Sequence, residues 1–308
     1  MMPAVDEQGL GAFLDGERQH VESALARVLA DALEGVPPAV ADPVRYAVRS
    51  GGKRLRPILC VAAYRAVRAE RAAVPSAVYD IAASLELIHS YSLVHDDLPC
   101  MDDDDVRRGR PSTHRAFDTA RALVAGSAMI PLACQVLAKA GRALELGEPA
   151  VAALVRELSV AAGAAGMVGG QVSDLEAEGR RIDLEELASV HRRKTGALLT
   201  AAIRMGGLAA GADAVQLDAL DAYGRSVGLA FQIADDLLDV TGTDEVLGKT
   251  AGRDSELGKA TFPALLGVEG ARSRAHAEVN SALAAIQAAG LSSTELEALA
   301  RFTVERDR

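Results

Sequence analysis

The chain has 308 residues, 49% of them hydrophobic, and a formal charge of −10 at neutral pH. That length and apolar share suffice for a continuous core, while the acidic balance argues against a nucleic-acid-binding surface, which needs a basic excess on one face. Aromatic residues make up 3% and Trp is absent, so the core must be assembled from small and branched aliphatic side chains, and the abundance of Ala and Leu points to an all-α fold.

The first residues carry no basic stretch followed by an apolar one, so no secretory leader is expected. Apolar runs are broken by charge or Gly before the roughly 20 residues that a membrane span requires, which predicts a cytoplasmic protein without a span. Cys60, Cys100 and Cys134 show neither CxxC spacing nor a paired framework and read as free thiols of a reducing compartment.

Helical periodicity begins near Leu14, and no window sustains the alternation of a strand. Gly and Pro interrupt it at 35–38, 109–111, 147–149, 179, 206–211 and 241–258, but none of these breaks has the length or low complexity of a linker. One domain, 1–308, of roughly ten or more helices is expected.

In chain order, the first group with chemical character is Gly51-Gly52-Lys53-Arg54-Leu55-Arg56-Pro57. Arginine forks bind phosphate oxygens in pairs and Lys adds a point charge, so cations beside glycines suit a diphosphate cradle. An apolar helical run then leads through His89, Tyr91 and Ser92 to Asp96-Asp97-Leu98-Pro99-Cys100-Met101-Asp102. Asp96 and Asp102 are six apart, which an undistorted helix places off a common face, so joint ligation predicts a distortion at Pro99. Asp103, Asp104 and Asp105 read as solvated charge, and His95 as structural. A second basic group, Arg107-Arg108-Gly109-Arg110-Pro111, follows at once.

Further on, Asp183-Leu184-Glu185-Glu186 has the form of a capping box opening a helix that carries Lys194 and Thr195 in its middle and a kink near Gly196. In the second aspartate cluster, Asp235-Asp236-Leu237-Leu238-Asp239, helical spacing puts Gln232, Asp235 and Asp239 on one face. The stretch 241–261 is rich in Gly, Thr and charge, carries Lys249 and Lys259, and predicts a loop able to close over a site.

Both aspartate clusters end apolar runs, where an unpaired buried carboxylate is very costly, so a cation between them is expected. All-oxygen ligands suit Mg2+, which keeps waters and substrate phosphates as its other ligands. The expectation is a pair of facing Mg2+ sites for a phosphorylated substrate.

Taken together, Gly52 to Pro57, the long first aspartate motif with Arg107-Arg108-Gly109 behind it, Gly169-Gly170-Gln171, Lys194-Thr195-Gly196, Phe231-Gln232 with Asp235-Asp236 and Asp239, Leu247-Gly248-Lys249 and the end near Ala300-Arg301-Phe302 resemble the trans-isoprenyl diphosphate synthases. Order and spacing match along nearly the whole chain. The bacterial farnesyl diphosphate synthase type, with two extra residues in the first motif, is the most similar.

The resemblance implies an all-α isoprenoid synthase fold around a central cavity, usually a homodimer, that joins isopentenyl diphosphate to allylic diphosphates with Mg2+, three ions when substrate is bound. It implies that Asp96, Asp102 and Asp235 are Mg2+ ligands, supported by Asp97, Asp236 and Asp239. Lys53, Arg56, His89 and Arg108 match the positions that hold isopentenyl diphosphate. Arg107, Lys194, Thr195, Gln232, Lys249 and Lys259 match those around the allylic diphosphate. Asp96, Asp102, Arg107, Lys194 and Asp235 are the residues expected to carry catalysis.

Tyr91 lies about 7.5 Å below Asp96 at ~1.5 Å per residue, where an aromatic ring can act as a floor under a growing hydrocarbon. With its neighbour Ser92 it is the expected chain-length determinant. An aromatic there, with the two-residue insertion, resembles C15 synthases, and Leu98-Pro99-Cys100-Met101 also occurs in C20 types. Farnesyl diphosphate is the expected product and geranylgeranyl diphosphate the alternative. A terpene cyclase has no need of Lys53 and Arg56, a calcium module no need of two arginine groups, and a regulatory subunit typically loses one aspartate motif.

Overall fold

The computed structural model describes residues 7–69, 73–177, 179–241, 260–291 and 293–305. Most of them are helical, as the periodicity predicts, and they gather into two units. The N-terminal unit comprises Gly11–Val61 and Ala72–Val155; the C-terminal unit comprises Met1–Leu10, Ala62–Arg71 and Arg156–Arg308.

Within the N-terminal unit run most of α1 (Glu7–Ala32), α2 (Pro38–Val48), the start of α3 (Leu55–Arg68), α4 (Ser76–Asp96), a hairpin of the two-residue strands β1 (Val106–Arg107) and β2 (Arg110–Pro111), α5 (Thr113–Ala116), α6 (Thr119–Ala143) and the start of α7 (Glu148–Ala162). Apolar residues occupy every face of α4, and a helix of that kind must be buried all round; Val78, Ile81, Leu85, Leu87 and Ile88 are at or below 1% exposure. It packs along α6 and α2. α6 starts at Asp118, whose carboxylate accepts the Arg121 N–H at 2.7 Å and so satisfies one orphan donor of the first turn.

α6 turns Ala122, Ala125, Met129 and Ala133 inward and leaves Leu123, Val124 and Ile130 exposed. By length and composition α6 and the stretch Glu148–Ala177 are apolar enough to cross a membrane, each with a mean hydropathy of 1.5. In both segments charge still interrupts the apolar run before about 20 residues, at Arg121 and Lys139 in α6 and at Glu157 and Asp174 in the other. In α6, Gly126 and Pro131 do not end the helix, and its charged residues lie near its two ends.

The C-terminal unit holds α8 (Met167–Ala177), α9 (Leu184–His191), a π turn (Arg192–Gly196), α10 (Ala197–Ala210), α11 (Ala214–Thr241), α12 (Phe262–Ala288) and α13 (Thr294–Glu305). The N-cap half of the predicted capping box is present: the Asp183 carboxylate accepts the Glu186 N–H at 2.8 Å, while the Glu186 carboxylate lies 3.7 Å from Arg180. α11 lies along α12 and α10, and Leu229 and Ile233 of α11 join Ile182, Leu187 and Phe262 in one apolar cluster. Tyr223, fully buried on α11, donates its hydroxyl to the Leu296 carbonyl at 2.7 Å, the partner a buried phenol requires. Cys60, Cys100 and Cys134 are free thiols.

Candidate active site

The first aspartate motif begins where α4 stops. Leu98 precedes a proline and is thereby steered away from helical geometry, so helices usually end at or before such a residue. α4 ends at Asp96 with Asp97 as its C-cap, and Met101 N–H donates to the Leu98 carbonyl at 2.8 Å. The chain doubles back until the Asp102 N–H meets the Asp96 carbonyl at 2.8 Å. Pro99 thus acts otherwise than expected: it does not distort a continuing helix but lies in a fold-back loop beyond the helix end. Asp96 and Asp102 are both partly exposed.

Asp97 points the other way, being 2% exposed. Its Oδ1 accepts from Arg107 Nε at 3.0 Å and again from Arg107 Nη2, and Arg107 reaches Asp104 at 3.3 Å. Burial pushes the Asp97 carboxyl above the ordinary carboxylate range, against the opposing pull of Arg107.

The second basic group forms a hairpin. Arg107 pairs with Arg110 across a two-residue turn of Arg108 (φ 53) and Gly109 (φ 73), and positive φ at both central residues is the turn that suits a twisted hairpin. Gly109 supplies one of the two positive φ angles that this turn requires. Arg108 donates from Nη1 to the Gly51 carbonyl, and its guanidinium lies over Gly52, where a Cβ would sit 2.5–2.8 Å from it. This contact joins the two basic groups.

His89, on α4, is held neutral: burial lowers its pKa well below the usual imidazole value, and the charges of Arg56 and Arg108 lower it further. Arg56, His89 and Arg108 thus belong to one neighbourhood of the N-terminal unit, and Lys53 follows Gly52, over which Arg108 lies. Tyr91 is 5% exposed with its ring edge-on to His95, 5.5 Å between centroids. Burial, then the Asp96 charge, raises its pKa. His95 is structural as expected, with Nε2 3.2 Å from the Leu123 carbonyl. The Ser92 hydroxyl is turned back onto the His89 carbonyl at 2.9 Å.

In the C-terminal unit the predicted kink near Gly196 is the π turn, a widened helical turn of a kind frequent at functional sites. It carries Lys194 and Thr195. Gly170 on α8 lets it lie close, since a Cβ there would fall 2.5 Å from Lys194 Cα. Lys194 Nζ pairs with Asp174 Oδ2 at 2.5 Å.

Asp236 is the hub of this half. Its Oδ2 accepts the Phe262 N–H at 2.9 Å and its Oδ1 the Gln232 amide at 3.4 Å, one turn away along α11. Asp235 is partly exposed, whereas Asp236 and Asp239 are buried. A cavity of about 120 Å³ is lined by Asp174, His191, Lys194, Thr195, Gln232 and Asp236.

Sequence reasoning missed His191 and Asp174. The signal was spacing: His191 lies one turn before Lys194, and Asp174 three residues after Gln171. The His191 ring stacks on Phe262 at 5.7 Å, with Nε2 3.9 Å from Asp236 Oδ2, and burial lowers its pKa to about 4. Gln171 is buried with no hydrogen-bond partner for its amide among the described residues. Lys249 and Lys259 lie outside the described residues.

Among the described residues no three Asp, Glu, His or Cys side chains converge into a ready-made metal cage. Sparse carboxylates beside basic groups fit Mg2+, which binds through one or two carboxylates and completes its shell with water and substrate phosphate.

Residues 37–296 match the polyprenyl synthetase family. The chain is 44% identical to farnesyl diphosphate synthase of Escherichia coli over 87% of its length and 90% of the relative's. It is 43% identical to geranylgeranyl pyrophosphate synthase 12 of Arabidopsis thaliana over 85% and 72%. The solved geranyltransferase of Helicobacter pylori, complexed with magnesium and isoprenyl diphosphate, superposes with a TM-score of 0.75 at 30% identity, covering 94% of this chain and 96% of that one. With its family match spanning both units, the chain belongs to the polyprenyl synthetase family.

Proposed function

We propose that the protein condenses isopentenyl diphosphate with dimethylallyl and then geranyl diphosphate, releasing diphosphate and forming farnesyl diphosphate. The feature that supports this reading is the basic cluster at α4: Arg108 reaches the Gly51 carbonyl, two residues before Lys53, and Arg56 and Arg108 lie close enough to His89 to act on its charge. A second cationic cradle, apart from the aspartates, suits a second diphosphate substrate, and a cyclase would have no use for it.

Asp96 and Asp102, with Asp235, are the Mg2+ ligands in this reading. Mg2+ held there would neutralise charge developing on the departing diphosphate. Arg107, Lys194 and Gln232 flank the allylic diphosphate, and Asp97 and Asp174 hold the first two in place. In this reading the Lys194 carbonyl and the Thr195 hydroxyl, on the π turn that lines the cavity, stabilise the allylic cation. As the isopentenyl double bond attacks, a new C–C bond forms and a proton is lost to the released diphosphate. His191, with its pKa near 4, is too weak a base to take it.

The buried Tyr91 ring supports C15 over the C20 alternative, while the similarity to a geranylgeranyl synthase keeps the latter in view. Intact aspartate motifs speak against a regulatory subunit. The exposed Leu123, Val124 and Ile130 of α6 suit a homodimer contact, and 1–308 acts as one domain in a cytoplasmic enzyme. Incubating the purified protein with isopentenyl and dimethylallyl diphosphates and Mg2+ tests the reading: a C15 product supports it, C20 selects the alternative, and no condensation overturns both.

A further inference from the structure

Three cations within four residues, Lys53, Arg54 and Arg56, repel one another unless the backbone separates them. The structure does so by burying the middle one: Lys53 is exposed, Arg56 partly exposed, and Arg54 only 3% exposed. Arg54 also has a left-handed backbone, φ 54, directly after Gly51 (φ 79), Gly52 (φ 129) and Lys53. A non-Gly residue holds such a conformation only where its surroundings over-determine it.

The guanidinium supplies that constraint. Nε donates to Glu22 at 2.7 Å, Nη1 to Glu86 at 2.5 Å and Nη2 to the Val48 carbonyl at 2.8 Å. These acceptors come from α1, α4 and the end of α2, so one side chain fastens three elements. Glu86 lies one helical turn before His89 on α4. Its buried carboxylate would repel an anion at His89, and Arg54 cancels that charge.

We propose that Arg54 is a positioning residue for isopentenyl diphosphate: it clamps the turn so that Lys53 and Arg56 are presented with Arg108 beside His89. This rests on the reading that Lys53, Arg56, His89 and Arg108 hold that substrate. Arg54 itself does not touch it.

Steady-state kinetics of Arg54→Lys provides the test, because Lys keeps the charge but cannot reach three acceptors with a planar fork. The KM for isopentenyl diphosphate is expected to rise about tenfold, with kcat and the allylic KM within about twofold. An unmoved isopentenyl KM, or both KM values rising together as kcat falls, overturns the proposal. Should Arg54→Lys fail to fold by circular dichroism, Glu22→Gln takes its place, since the Glu22 side chain is 46% exposed. It is expected to raise the same KM roughly threefold, and an unchanged value overturns the proposal. Lys53→Ala separates the two layers: no effect there sinks the substrate assignment, whereas an effect there with none at Arg54 or Glu22 sinks the positioning role alone.

Discussion

The Asp102 N–H donates to the Asp96 carbonyl at 2.8 Å, so two aspartates six residues apart are brought together by the loop between them. Asp102→Asn should preserve that backbone contact while removing one anionic ligand. Its kcat is expected to fall on the order of 10²-fold, with a raised Mg2+ requirement. Wild-type kcat and Mg2+ dependence would remove Asp102 from the ligand set.

Arg107 holds the buried Asp97, and the pair ties the hairpin to the helix end. Arg107→Ala leaves that carboxylate alone and should cost about 2 kcal/mol at neutral pH. Asp97 has a folded pKa raised by burial, so its ionisation favours the unfolded chain above the ordinary carboxylate value. Loss of Arg107 raises the folded value further. The gap in melting temperature between wild type and variant is therefore expected to narrow as pH falls into the ordinary carboxylate range, where Asp97 is protonated in both folded proteins. A gap that widens in acid contradicts this.

Gly170 faces backbone, not a movable side chain: an added Cβ would lie 2.5 Å from Lys194 Cα. Gly170→Ala should push the π turn outward, destabilise by about 2 kcal/mol and depress kcat more than the KM for isopentenyl diphosphate. Unaltered kinetics in the alanine variant would mean that the turn need not sit where it does.

Tyr91 is both core and candidate floor. Tyr91→Ala should lower stability by about 3 kcal/mol and shift the products toward longer chains, read by chromatography of the dephosphorylated alcohols. A destabilised variant that still yields only C15 reduces Tyr91 to a packing residue.

His191 is buried with its pKa lowered from 6.5 to about 4. The unfolded chain binds the proton first, so the stability linked to the neutral ring is complete above pH 6.5 and is lost as pH falls toward 4. The span is on the order of 3 kcal/mol. In His191→Phe, which retains an aromatic face against Phe262, denaturant titrations should show a shallower loss over this window. An identical acid slope in the variant argues that the ring is not held neutral.

Much of this site is legible in one dimension. The all-helical class follows from apolar periodicity and few aromatics, the Asp183 cap from the Asp-x-x-Glu spacing, and the kink near Gly196 from a glycine inside a helix. Residue type also names the ions and oxygens in play, since charge and ligand hardness are local properties. Partner choice is different. That Asp236 accepts the Phe262 N–H, that Arg107 is spent on Asp97, that Gly109 makes a hairpin and that Arg54 rather than its neighbours goes inward depend on distances between segments as many as 32 residues apart. Spacing along a helix predicts which side chains share a face. Which of them is buried, and so which must find a charge or hydrogen-bond partner, is decided only when other helices close over it, because the cost of an unpaired polar group exists only once water is gone.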